Sequence, residues 1–258
     1  MIREQIHDLL QRIEKEHNVQ ILFAAESGSR AWGFASPDSD YDVRILFLHP
    51  RERYLSVFEP TDNIRLMEAD GLLDVSGWDL RKALRLCHGS NSSVFEWLQS
   101  PIIYREVPDF KADMWATILP YFSARRIIRH FLGIAKGTLE RDFDNGNATD
   151  VKIKKYFYIL RPVLASMWAA AFRTPPPTVF HNMLSLLDAY PDVKEAVLAL
   201  LQRKETAAEG EQVKRIPVID HFVKEQMEKC HQIAETIEKP VISSDGLDHF
   251  YKKLLKII

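Results

Sequence analysis

Cysteine is scarce in this chain: only Cys87 and Cys230 occur among its 258 residues. Two thiols can build neither a disulfide framework nor a four-cysteine zinc site, and they read as reduced thiols of a cytoplasmic protein. A surplus of one charge sign is also missing, since 34 Lys+Arg stand against 36 Asp+Glu for a formal net charge of -2. That balance excludes a polycation coating nucleic acid over its whole surface, though not a local basic patch. No apolar run approaches the roughly 18–20 residues of a membrane span, so no membrane partner is expected. The segment 1–15 mixes both charge signs at helical spacing and lacks the apolar stretch of a signal peptide. The histidines show no ligand spacing, so zinc is not expected. Repeats and long low-complexity tracts are absent. What remains is ordinary globular composition, 46% hydrophobic and 27% charged, with enough chain for one large domain or two small ones.

Residues 3–16 read as an amphipathic helix, with Ile6, Leu9, Leu10 and Ile13 at three- and four-residue steps. Val19 to Ala25 is a short run of strand formers and predicts a buried strand. Small-residue turns follow at 26–30 and 36–39, then a strand from Tyr41 to Leu48. A hairpin is expected over 60–75, with Asp70-Gly71 as its turn signal. A helix is expected to start near Asp79 and run through about Leu86, and Val94 to Leu98 continues helically. Beyond residue 110 the periodicity is helical, predicting helices over 112–140, 150–172, 178–204, 218–238 and 245–257. Thr174-Pro175-Pro176-Pro177 interrupts them, and 205–216 reads as an exposed loop. The expected fold is α+β: a mixed sheet with helices over residues 1–110, followed by an all-α domain over 111–258.

The chemistry lies in one pattern. Gly28-Ser29 follows a strand, and Asp40-Tyr41-Asp42 opens the next one. Period-2 alternation puts Asp40 and Asp42 on one face and Tyr41 on the other. Two like charges on one face are unfavourable unless a cation lies between them. Hard oxygen donors of this kind suit Mg²⁺, which completes its shell with waters and substrate phosphates. Gly28 lets the backbone turn sharply beside a phosphate, and Ser29 adds a hydroxyl next to backbone N–H groups that attract anions. Taken singly, a Gly-Ser pair is usually a surface turn and an Asp-x-Asp a solvated one; the combination beside strand formers points to a phosphate and metal site.

The segments Gly28-Ser29-Arg30-Ala31-Trp32-Gly33, Asp38-Ser39-Asp40-Tyr41-Asp42-Val43-Arg44 and Asp74-Val75-Ser76-Gly77-Trp78-Asp79 resemble nucleotidyltransferases of the DNA polymerase beta superfamily. They look most like the bacterial YcgL-like branch, for which a role in RNA repair has been proposed. The likeness is strong over about residues 18–105 and looser in the helical half, through Lys154 to Tyr158 and Arg161-Pro162. It implies a polymerase-beta-like catalytic domain with a helical domain closing the nucleotide cleft. It also implies transfer of an NMP from an NTP, ATP foremost, to an acceptor hydroxyl with release of pyrophosphate, and two divalent ions, Mg²⁺ or Mn²⁺. Asp40, Asp42 and a third acid would hold the ions, and Gly28 and Ser29 the phosphates. An RNA end is the favoured acceptor; a protein or small-molecule hydroxyl, or a nucleotide sensor without turnover, are the alternatives.

The third acid is a choice between Asp74, set among strand formers, and Asp79, placed like a helix cap. Asp74 is preferred, and Asp70, in a turn, is the poorer candidate. Arg30 either touches a phosphate or pairs with an acid. Trp32 and Phe34 read as packing the loop rather than stacking on a base. Arg81, Lys82 and Arg85 read as a solvated basic helix face. Between Tyr121 and Arg161 there are nine Lys/Arg against four Asp/Glu, with Tyr156 and Tyr158 interleaved. Lys155, Tyr158 and Arg161 fall at three-residue steps on one helix face and are the expected nucleotide contacts of the helical half. Oligomeric state is not legible.

Overall fold

The computed structural model describes residues 2–68, 71–144, 148–206, 210–238 and 243–256. The chain forms two compact units, one built from 1–31, 40–122 and 241–258, the other from 32–39 and 123–240.

The first unit is built on a five-stranded sheet. Its strands are β1 (Gln20–Glu26), β2 (Tyr41–Leu48), β3 (Asn63–Met67), β4 (Leu73–Asp79) and β5 (Ile103–Glu106), in the order β3-β4-β2-β1-β5. β2 and β4 run parallel, and the other neighbours are antiparallel. Alternation along the strands sends apolar side chains to both faces. One face, with Val43, Ile45, Phe47 and Val75, is covered by helix α1 (Ile2–His17) through Ile6, Leu9, Leu10 and Ile13. Each of those four side chains, fully buried, stabilises the fold by roughly 1.5–3 kcal/mol. The other face, with Leu22, Phe23, Leu46 and Leu48, packs in one apolar cluster with residues of the helices that follow. A short helix α2 (Gly28–Trp32) follows β1, and α3 (Arg51–Tyr54) follows β2. Then come α4 (Leu80–His88), α5 (Ser92–Leu98) and α6 (Phe110–Ile118). α4 gives Leu80, Ala83, Leu84 and Cys87 to that cluster, α5 Val94 and Phe95, and α6 Met114.

Close approach sets the register of β2 against β4. Gly77 lies opposite Ile45, and a Cβ at Gly77 would stand 2.0 Å from the Ile45 carbonyl oxygen. Only glycine fits there without displacing backbone.

The second unit is helical, with α7 (Ala124–Asp142), α8 (Ile153–Phe172), α9 (Pro191–Thr206) and α10 (Pro217–Thr236). Phe131 on α7, Tyr156, Phe157 and Leu160 on α8 and Phe222 on α10 are buried in it. Residues 32–39 pack here through Phe34, stacked 4.8 Å from Phe157.

Several expected helices are divided. The stretch 112–140 breaks at a 3-10 turn, Leu119–Tyr121, which contains Pro120, and α7 restarts behind Ser123, whose hydroxyl caps it. The stretch 178–204 separates into a 3-10 segment, Phe180–Leu187, and α9, which starts at Pro191. Where a helix start and a loop were expected, two short strands, β6 (Asp150–Lys152) and β7 (Gln212–Lys214), pair antiparallel. The last helix, α11 (Asp245–Leu254), belongs to the sheet-bearing unit; residue 257, the expected end, lies outside the described residues. So does Asp70 of the expected hairpin turn, though Gly71 N–H donates to the Glu68 carbonyl and β3 pairs with β4 as a hairpin requires. Among the described residues no helix is long and apolar enough to cross a membrane.

Candidate active site

The parallel pairing of β2 with β4 sets Asp42 directly opposite Asp74. Both stand near the starts of their strands, on the face that also carries Arg44. Backbone contacts fix Asp42 further. Its N–H donates to the Glu26 carboxylate at 2.7 Å, and its carbonyl accepts from Ser27 N–H at 2.8 Å. Glu26 in turn accepts from the Tyr104 hydroxyl. Directly after this anchor the chain turns through Gly28 at φ +60, and a Cβ there would stand 2.1 Å from Asp42 Oδ2. The turn therefore lies against the carboxylate, and both the φ and the space require glycine.

Charge explains the rest of the arrangement. Burial pushes the Asp42 carboxyl up from its ordinary value; Arg44 opposes this, while Asp40 and Asp74 add to it. Burial likewise pushes Glu26 up. Arg44 Nη2 lies 2.7 Å from Asp42 Oδ1 and 3.3 Å from Asp74 Oδ2, so one guanidinium serves two carboxylates. Asp74 Oδ1 is buried with no hydrogen-bond partner, and its only ion-pair neighbour among the described residues is Arg65 Nε at 3.7 Å. A buried carboxylate oxygen left without a hydrogen bond is costly. Among the described residues no three His, Cys, Asp or Glu side chains are gathered closely enough to form a complete metal site. The donors nevertheless fit a hard divalent cation. They are two facing carboxylates, one with an unspent oxygen, and such ions take one or two carboxylates and complete their shell from water and phosphate.

The other expected residues are placed as follows. Asp40 is exposed, just ahead of β2, and acts on Asp42 through charge. Ser29 is half-buried in α2. Arg30 lies 3.8 Å over the Tyr41 ring and donates from Nε to the Asp40 carbonyl, which holds the segment ahead of β2. Asp79 is a structural group: it caps α4 by accepting from Arg81 N–H, and it accepts from the Tyr54 hydroxyl. In the helical unit, Lys155 pairs with Asp142 at 3.0 Å, Tyr158 is 36% exposed, and Arg161 is buried with its guanidinium 4.4 Å from the Trp32 ring. Much of the basic character of that stretch is neutralised locally, as Arg125 and Arg129 both pair with Glu235. Tyr156 is fully buried. Glu26 was not foreseen; its signal was an acid ending an apolar strand just before the glycine turn.

Comparison with known proteins gives three findings. A family model, RlaP, described as the RNA repair pathway DNA polymerase beta family, matches residues 2–253. A Bacillus subtilis (strain 168) protein called uncharacterized protein YcgL is 39% identical over 237 residues, covering 92% of this chain and 90% of its own length. A solved nucleotidyltransferase-like protein from Exiguobacterium sibiricum 255-15 aligns with 99% of this chain and 77% of its own, at 13% identity and a TM-score of 0.30; nothing is built on that likeness.

Proposed function

The chain belongs to the RNA repair pathway DNA polymerase beta family, and from that premise we propose that it moves an NMP from an NTP, ATP foremost, to a hydroxyl at an RNA end. The reaction class, polymerase-beta-type nucleotidyl transfer, comes with the family. The single observation that carries the reading to this site is Asp42 facing Asp74 with the Gly28 turn laid against Asp42.

In this reading the acceptor oxygen attacks the α-phosphorus, the bond from that phosphorus to the bridging oxygen breaks, and pyrophosphate leaves with the electron pair. Asp74 takes the proton of the attacking hydroxyl. Backbone N–H groups of the turn at Gly28 and the Ser29 hydroxyl hold the outer phosphates. Asp42 and Asp74 would hold divalent ions, Mg²⁺ or Mn²⁺ and two in number, with Asp40, exposed just ahead of β2, joining as a ligand only on their arrival; when bound the ions offset the charge spread over the attacking and leaving oxygens. Arg30 fixes the backbone at Asp40 and so positions the acids. Glu26 and Tyr104 position the Asp42 backbone.

The test is incubation with each labelled NTP, Mg²⁺ and total cellular RNA or total protein, with Asp42→Asn as control. Label in the RNA fraction that the control lacks is the expected result. Label in protein instead overturns the acceptor. Nucleotide binding without turnover in any fraction would replace transfer by a sensing role.

A further inference from the structure

The basic face of α4 is partly exposed, as the sequence presents it, and its Arg81 and Arg85 also line an open cavity of about 710 Å³. Arg81, Arg85 and His88 recur on one side of the helix and point to the same space. Leu84, Leu247 and Tyr251 supply apolar wall, and Ser243 stands at the side, its carbonyl held by the Tyr121 hydroxyl at 2.8 Å. Asp248 is the one carboxylate of the lining, against two guanidiniums. Among the described residues, the one ion pair of Arg81 outside the lining is with Glu59, at 3.3 Å, whose side chain is 70% exposed; such a pair yields to a better anion at little cost.

A second feature adjoins it. Behind Tyr54, whose ring faces Arg81, the loop carries Leu55, Val57 and Phe58 at 77%, 94% and 83% exposure. Its next residue is the Glu59 that reaches Arg81. Cations, an apolar wall and an exposed aromatic side by side match a phosphate, its base and a neighbouring base. The volume suits a small ligand of nucleotide size. The lining shares no residue with the carboxylate pair Asp42 and Asp74.

We propose that this cavity holds one nucleotide unit of a single-stranded nucleic acid, its phosphate on Arg81 and Arg85, with Phe58 stacking on an adjacent base. The site needs nothing of the transfer reaction, so binding without turnover supports it. The test is fluorescence anisotropy of the full chain with a labelled single-stranded RNA oligonucleotide, across a salt series, with AMP and a phosphopeptide as competitors and thermal melting of every variant as a fold check. We expect Arg85→Glu to weaken binding by roughly tenfold and flatten the salt dependence. Phe58→Ala should weaken it by about fivefold or more. Unchanged affinity in a folded Arg85→Glu variant overturns the site. AMP competing as well as the oligonucleotide, with Phe58→Ala silent, overturns the strand in favour of a free nucleotide. A phosphopeptide competing equally overturns the nucleotide assignment altogether.

Discussion

Strand β4 bears two aspartates, and its two ends treat them in opposite ways. At the far end Asp79 is 2% exposed with its oxygens engaged, one by Arg81 N–H and one by the Tyr54 hydroxyl. At the near end Asp74 shares Arg44 with Asp42 and keeps one buried oxygen without a hydrogen bond. Residue type and strand are the same, and both groups are largely removed from water. The difference is whether the oxygens are spent. A carboxylate with both oxygens engaged by its own chain holds the fold; one with an oxygen left over can serve something that arrives.

The comparison breaks most sharply in activity. Asp74→Asn is expected to lower kcat for nucleotidyl transfer by on the order of 10²–10³-fold or more, while Asp79→Asn, once folded, keeps kcat near the wild-type value. Steady-state rates with the labelled NTP of highest turnover decide it; equal losses at both positions would erase the distinction. The order reverses in stability. Asp79→Ala removes a cap and leaves the half-buried Tyr54 hydroxyl without its acceptor, a destabilisation of about 1–3 kcal/mol. Asp74→Ala removes an oxygen that was already unsatisfied and should cost less. Urea unfolding midpoints of the two variants measure this directly.

The smallest effect is in pH. Burial raises the Asp79 carboxyl above its ordinary value, and its two hydrogen bonds only partly offset that. The folded chain therefore holds this proton more tightly than the unfolded chain does. The stabilisation from it is complete below the ordinary carboxyl range and is lost as pH rises through the raised value. Asp79→Asn cannot titrate, so the stability of wild type relative to this variant should fall as pH climbs upward from the ordinary carboxyl range, about 4. Thermal melting of both proteins as pH is raised tests the sign.

Local patterns in the chain made much of the site readable. Glycine-serine after a strand, aspartates two apart at the opening of the next, and Asp74 among strand formers are all short-range signals. The covering helix α1 was visible from Ile6, Leu9, Leu10 and Ile13 alone. What stayed hidden depends on distant partners. β6 and β7 are three-residue strands, too short to carry an alternation of their own, and exist because Val151 meets Val213. The membership of α11 in the sheet-bearing unit rests on Leu247 and Phe250 entering a core built mostly from residues before 123. Arg44 could be seen as a nearby cation, but its double engagement follows only from the β2–β4 register. Pro120 and Pro191 were legible breaks that strong helical periodicity on either side obscured.

Gly77 gives that register a further meaning. It bears no functional group and lies about three residues along the strand from Asp74, yet the absence of a side chain there lets the two strands nest with Asp74 abreast of Asp42. Displacing β4 by a single position would turn Asp74 to the opposite side of the sheet. The spacing of the acids is thus gauged from a distance, by a hydrogen atom where every other amino acid would place a carbon.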